Sequence, residues 1–213
     1  MDEPFWIQLV KAFVVVNVVL AGFAYVTLAE RKILGRIQSR VGPNRAGIHG
    51  SLQPIADLLK LVRKEDFYPR DADPKSLYIF APFLSIVMAI GAIALIPFGD
   101  PITIGGQEIA LVGADLNIGL LLLFAFSGIG FYGLILGGWA SGNKYSLLGS
   151  ARTAAQLVSY EVSLGLSVIG VIMLSQSLSL VEIVDAQRET VWYVLLQPLG
   201  FLVFVIAMVA EVN

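Results

Sequence analysis

Apolar runs of about 20 residues recur down this chain, and each is long enough to cross a hydrocarbon core of roughly 30 Å as a helix. That one feature makes the membrane the solvent of the fold. Composition agrees: the 213 residues are 57% hydrophobic and 14% charged, whereas a soluble domain carries about 25% charged residues. The expected class is an all-α polytopic membrane protein, a single membrane domain over residues 1–213. Five transmembrane helices are expected, at 5–28, 77–98, 116–139, 151–175 and 191–210.

The placement of charge sets the expected orientation. Ten of the fourteen Lys and Arg fall between Arg31 and Lys75, and the loop from Gly99 to Asp115 has none. Basic residues stay on the cytoplasmic side. The pattern therefore predicts an external N-terminus, with the first and third loops cytoplasmic and the second and fourth external. Arg188 stands among Glu182, Asp185 and Glu189 in the fourth loop. The acidic start, Met1-Asp2-Glu3, lacks the basic segment of a signal peptide, so the first apolar run is expected to remain as a span. There is no cysteine, which excludes disulfides and thiolate-held iron–sulfur clusters within the chain. The single His49 cannot by itself build a metal site. Glu211-Val212-Asn213 ends an apolar run without a polar tail, the pattern expected of a chain cut from something longer.

The loop 31–75 holds most of the information. Arg31, Lys32, Arg36, Arg40 and Arg45 surround the turn signal Gly42-Pro43-Asn44. Such a surface suits either anionic lipid or a guided ligand. Residues 51–64 then read as an interfacial amphipathic helix, with Ser51 as its cap and Pro54 in the first turn. Leu52, Ile55, Ala56, Leu58, Leu59 and Val62 share one face; Gln53, Asp57, Lys60 and Lys64 share another. At ~21 Å the helix is too short to span and should lie at the interface.

Three carboxylates stand in or beside the membrane. Glu161 lies inside the fourth span, where burying an ionised carboxylate costs at least ~2.5 kcal/mol. It should face protein or water and carry a proton or a partner. Arg152 is nine residues away, on the opposite face of that helix, beside Gln156, Ser159 and Ser163. Polarity on two faces predicts burial of this helix between others. Glu30 and Glu211 close the first and fifth spans, so the three form a candidate polar track. Gly128-Ile129-Gly130-Phe131-Tyr132-Gly133 matches GxGxxG but sits mid-span without a preceding strand, and reads with Gly137 as close helix packing. Asn143-Lys144-Tyr145-Ser146 reads as a polar turn.

Several ordered motifs resemble one family. Ala29-Glu30-Arg31-Lys32-Ile33-Leu34-Gly35-Arg36, Arg40-Val41-Gly42-Pro43-Asn44-Arg45 and Leu52-Gln53-Pro54-Ile55-Ala56-Asp57 with Lys60 and Lys64-Glu65-Asp66 are the first. Gly138-Trp139-Ala140-Ser141, Lys144-Tyr145-Ser146-Leu147-Leu148-Gly149 and Ser159-Tyr160-Glu161 continue the series. Together they resemble the quinone-chamber membrane subunit, the H-type subunit, of bacterial-type proton-pumping NADH:quinone oxidoreductase, respiratory complex I. The resemblance implies a C-terminally truncated member of a family with about eight helices, in the bacterial inner membrane. It implies that Arg31, Arg40, Asp57 and Lys60 line or shape a quinone path, for ubiquinone or menaquinone. It also implies that Glu30, Glu161 and Glu211 couple quinone reduction to proton translocation. No cofactor is then held by this chain: quinone is the substrate, and FMN and iron–sulfur clusters sit in partner subunits. Peripheral quinone-site and iron–sulfur subunits would meet the loop 31–75, and other membrane-arm subunits would flank the spans. Some relatives carry Glu at the position of Gly128, which puts a proton path through that point in doubt here.

Other classes fit less well. The homologous membrane subunit of an ion-translocating hydrogenase would act without quinone, but the Gly-Pro-Asn-Arg turn and Lys64-Glu65-Asp66 favour the complex I side. A transporter predicts repeats or broken helices, and neither is visible in the sequence. A purely structural anchor leaves Glu161 unexplained.

Overall fold

The computed structural model describes residues 4–65, 68–104 and 107–212. Asp66, Asn213 and the start Met1-Asp2-Glu3 lie outside them. The chain divides into two compact units, Met1–Phe67 and Tyr68–Asn213. All of its long elements are helices, as an all-α polytopic membrane protein requires.

In the first unit, helix α1 runs Phe5–Ile37, well past the expected end of the span at Leu28. Apolar content marks where lipid ends, whereas a helix ends only at a breaker. Ala29 to Arg36 are mostly good helix formers, so Glu30, Arg31, Lys32 and Arg36 are helical rather than looped. A 33-residue helix is about 50 Å long, so its basic turns extend beyond the hydrocarbon core. Ser39 then takes a left-handed conformation (φ 54°) and the chain folds back. The Arg40 amide donates to the Gly35 carbonyl at 2.9 Å. A Cβ on Gly35 would sit 3.0 Å from the Gly42 nitrogen, so two glycines permit the return strand to lie on the last turn of α1.

A 3-10 turn at Ile48–Gly50 leads to helix α2, Gln53–Arg63. The expected amphipathic helix is present, one or two residues shorter at each end. Ser51 does not cap it. Leu52 holds the N-cap position without a side-chain bond, and the Leu52 amide is turned back to the Ala46 carbonyl at 3.0 Å. Pro54 is in the first turn as expected. Leu52, Ile55, Leu58, Leu59 and Val62 are all exposed, so the apolar face is open to a bilayer or a partner.

The second unit contains α3 (Lys75–Ala94), α4 (Gly119–Ala140) and α5 (Lys144–Ser175). With α1 these are the four helices long and apolar enough to cross a membrane among the described residues. Helices α3 and α4 pack through Gly130 and Gly133 of the false nucleotide motif, whereas Gly128 faces α5. Ser85 Oγ donates to the Gly130 carbonyl at 2.8 Å, and a Cβ on Gly133 would meet the Ala81 carbonyl at 2.5 Å. Helix α5 starts at Lys144, not near Ala151, because the Asn143 side chain accepts from the Tyr145 amide at 2.9 Å and caps it. The polar Asn143-Lys144-Tyr145-Ser146 stretch is thus a helix start.

The expected fifth span is two helices, α7 (Tyr193–Leu196) and α8 (Pro198–Val212). Pro198 offers no N–H and clashes with the preceding turn, so one hydropathic run is broken at Gln197. The segments expected as loops also hold structure. Ile102–Ile104 and Gln107–Ile109 form an antiparallel pair of strands, with Thr103 opposite Glu108. Helix α6, Leu180–Glu189, follows α5 and is capped by Ser179. Ser179 is buried and also donates to Asp115 Oδ1 at 3.0 Å, which ties α6 to the start of α4. Leu120, Ile183 and Tyr193 form the buried apolar cluster beneath it.

Candidate functional site

The last turns of α1, the Gly-Pro-Asn turn and the first turn of α2 enclose a cleft of about 730 Å³. Arg31, Arg40, Asn44, Arg45 and Gln53 line it, with Val41 and Pro43 supplying apolar wall. Gly50, at φ 81°, supports the turn from below, where any side chain would collide with the Pro43 carbonyl. Arg31 reaches across from α1 to α2 and pairs with Asp57, Nη1 to Oδ2 at 2.7 Å. The other Asp57 oxygen accepts from Gln53 Nε2 at 2.9 Å, one helical turn away. Both carboxylate oxygens are therefore held. The Gln53 hydrogen bond, then the Arg31 bond, hold the Asp57 carboxyl below the usual carboxylate range, with the charges of Arg31 and Lys60 adding to the effect. Arg40 donates from Nε to Gln38 Oε1 at 2.7 Å, which fixes its stem.

This cleft has the chemistry to hold a neutral acceptor. Guanidinium groups are obligate donors, so the arginines suit a ligand that presents hydrogen-bond acceptors. Val41 and Pro43 and the open apolar face of α2 add apolar surface beside them.

The second site lies inside α5. Glu161 Oε1 is buried and has no hydrogen-bond partner. Gly128 of α4 faces it: a Cβ there would meet Oε1 at 3.9 Å. Tyr160, in the middle of α5, is within electrostatic reach of Glu161 and of Glu211 near the end of α8. The opposite face of α5 is not covered by other helices as expected. Arg152, Ser159 and Ser163 are exposed, and the serines donate to backbone carbonyls one turn back, Ser159 to Ala155 at 2.8 Å. Hydroxyls satisfied in this way need no neighbouring helix.

A sequence model of the NADH dehydrogenase family matches residues 10–213. The chain belongs to the NADH dehydrogenase family. Among relatives, it is 52% identical to the first H-type subunit of the NADH-quinone oxidoreductase of Geobacter metallireducens, over 96% of this chain and 62% of that protein. It is 54% identical to the second H-type subunit of the Geobacter sulfurreducens oxidoreductase, over 94% of this chain and 60% of that one. The H-type subunit of Thermomicrobium roseum is 50% identical, over 94% and 61%. The chain thus spans about three fifths of the length of these curated relatives.

In this member of the NADH dehydrogenase family, Arg31 and Arg40 both line the cleft, and Asp57 meets it through its ion pair with Arg31. Lys60 is not among the residues that line the cleft, and its charge acts on Asp57. Glu30 is exposed on α1, within the first unit, and Glu161 and Glu211 belong to the second. Sequence reasoning grouped Gln53 with the polar face but missed its hold on Asp57, a pairing that the i, i+4 spacing permits. It also missed the ion pair between Arg188 and Asp100, which links α6 to the segment after α3. That bond holds Asp100 below the usual carboxylate range and raises Arg188.

Proposed function

We propose that this chain is the membrane subunit of an NADH:quinone oxidoreductase that walls a quinone chamber and couples quinone reduction to proton translocation. The observation that carries the reading is the Arg31–Asp57–Gln53 clamp at the arginine-lined cleft, at the juncture of a spanning helix and an interfacial one. Asp57 orients Arg31, and Arg31 and Arg40 present donors to a quinone carbonyl. Lys60 adds positive potential along the same helix. The quinone tail follows the apolar face of α2 towards lipid. Electrons come from FMN and iron–sulfur clusters in partner subunits, which dock on the basic loop of the cytoplasmic side. Glu161, with Glu211 and Glu30, receives the effect as a change in proton occupancy. Kinship with the H-type subunits of two Geobacter species supports this assignment, as does a carboxylate with one buried oxygen in a spanning helix.

The test is photoreactive quinone crosslinking in the intact assembly, read by peptide mapping. Label is expected between Glu30 and Glu65, centred on Arg31 to Asp57. Label confined to other subunits sinks the chamber assignment.

A further inference from the structure

A second cavity, of about 450 Å³, lies within the second unit against the apolar cluster of Leu120, Ile183 and Tyr193. Its volume is that of a small-molecule site, roughly 300–1,000 Å³. Val168 and Val171 of α5 and Phe201 and Phe204 of α8 supply apolar walls. One polar group in the wall has nothing to bond. Gln197, at the break between α7 and α8, lays its amide over Gly170 of α5, where any Cβ would collide with it. That amide makes no hydrogen bond among the described residues. The other polar side chains in the wall are engaged. Gln187 donates to the Ile183 carbonyl at 3.3 Å and accepts from the Tyr193 amide at 3.2 Å, and Ser167 donates to the Leu164 carbonyl at 2.6 Å.

Shape decides the occupant. The lining runs from Trp192 to Phe204, about 18 Å along a helical path. That is close to the depth of one leaflet, half of a hydrocarbon core of ~30 Å. Spread over that length, the volume gives a mean cross-section of about 25 Å². A helix ~10 Å across needs roughly 80 Å². A hydrocarbon chain fits such a slot and a neighbouring helix does not. The slot is also continuous with the lipid-facing surface, because Trp192 and Phe201 line it while remaining 73% and 50% exposed. Tryptophan favours the membrane–water interface, which puts the mouth at Trp192 and the deep end at Phe204. We propose that this cavity binds one acyl chain of a phospholipid, whose ester carbonyl accepts from the Gln197 amide. Gln197 stands five residues past Trp192, ~7 Å deeper, so the headgroup stays at the interface while the ester enters. The chain then runs between α5 and α8 and fills the space that the break at Gln197 opens. This site stands independently of the quinone cleft.

The test uses the intact assembly in vesicles of phosphatidylethanolamine and phosphatidylglycerol, with a trace of phosphatidylethanolamine carrying a diazirine midway along one chain. Loose lipid is washed away in detergent before irradiation, and peptide mapping locates the label. Label on Val168, Val171 and Phe204 is expected to exceed several-fold that on Phe83 and Ile86, exposed residues of α3. Gln197→Met keeps the length of the side chain and removes the amide. It is expected to lower the cavity label about fivefold, the factor for one neutral hydrogen bond. Val171→Trp fills the slot and is expected to abolish that label, with assembly checked by native electrophoresis. Should it fail to assemble, the unmodified and Gln197→Met assemblies still decide. Equal label on the cavity and on α3 overturns the site in favour of ordinary annular lipid. Label on α3 with none in the cavity overturns it in favour of a polypeptide filling the slot. Undiminished cavity label in Gln197→Met overturns the ester contact.

Discussion

Asp57 shows how little of a clamp's value need lie in stability. Arg31 and Asp57 are each about half exposed, and exposed pairs contribute little to folding. Their value is orientation, because a guanidinium held from behind presents its remaining donors in a fixed direction. Asp57→Asn is therefore expected to leave the thermal midpoint nearly unchanged while raising the KM for quinone about tenfold, as for a misplaced positioning group. A large fall in midpoint with unchanged KM would count against this assignment. The pH dependence has a definite sign. Asp57 titrates below its ordinary 3.8 when folded, through Gln53 first and then Arg31. The clamp's contribution is full above that value and is lost as pH falls through the lower folded one. Affinity for a quinone analogue should be independent of this group through the neutral range and decline only below about pH 4. The residues of this clamp were legible as types on a face: Gln53, Asp57 and Lys60 follow from helical periodicity. The partnership with Arg31 was not, since it spans 26 positions and depends on a return turn built by Ser39, Gly42 and Gly50.

Elements fail or hold for different reasons than residues. The α3–α4 contact depends on bare backbone at Gly133, 2.5 Å from the Ala81 carbonyl for any added Cβ. Gly133→Ala should separate the helices and destabilise the protein by about 1–3 kcal/mol, the range for overpacking, measured by unfolding in detergent. An unchanged stability would show that the contact yields freely. Helix α2 makes the opposite kind of demand, with Leu58 and Val62 60% and 76% exposed. Adding charge as Leu58→Asp should weaken association of this helix with lipid, read as loss of quenching by bromolipids of a reporter tryptophan at Leu61. The spans were readable because hydropathy reports burial in lipid. Their ends were not, because a helix continues until chemistry stops it: α1 runs to Ile37, and α8 begins only at Pro198 inside a continuous apolar run. Helix α6 carried a usable signal. Ser179 and Glu182 have the Ser-x-x-Glu spacing of a capping box, and the Ser179 side chain does accept from the Glu182 amide at 3.3 Å.

At the scale of the molecule, most of the surface of the spanning helices is uncovered; the apolar window of α5 is 0% buried and that of α1 is 6%. Such faces need lipid or other subunits as solvent, which agrees with a chain whose relatives are named as one subunit of an oxidoreductase. The membrane class and the family were legible from apolar runs and ordered motifs. The setting of Glu161 was legible only as an isolated carboxylate in a span, because it depends on which helix packs against α5 and where that helix lacks a side chain. Glu161 Oε1 is buried and faces Gly128, and the adjacent Tyr160 is within electrostatic reach of Glu211. The cleft lies within the first unit and Glu161 within the second. That separation makes a discriminating prediction under the proposed function. Glu161→Gln keeps the shape of the side chain but removes its titratable proton, and it leaves the Arg31–Asp57 cleft chemically intact. Quinone affinity should therefore stay within about twofold of the original, while proton translocation per electron falls towards background. The measurement is simultaneous NADH oxidation and pH-dye response in sealed vesicles, with an ionophore control. Parallel loss of both activities would mean that Glu161 supports the fold or the chamber itself. Retention of full translocation would remove it from the proton path.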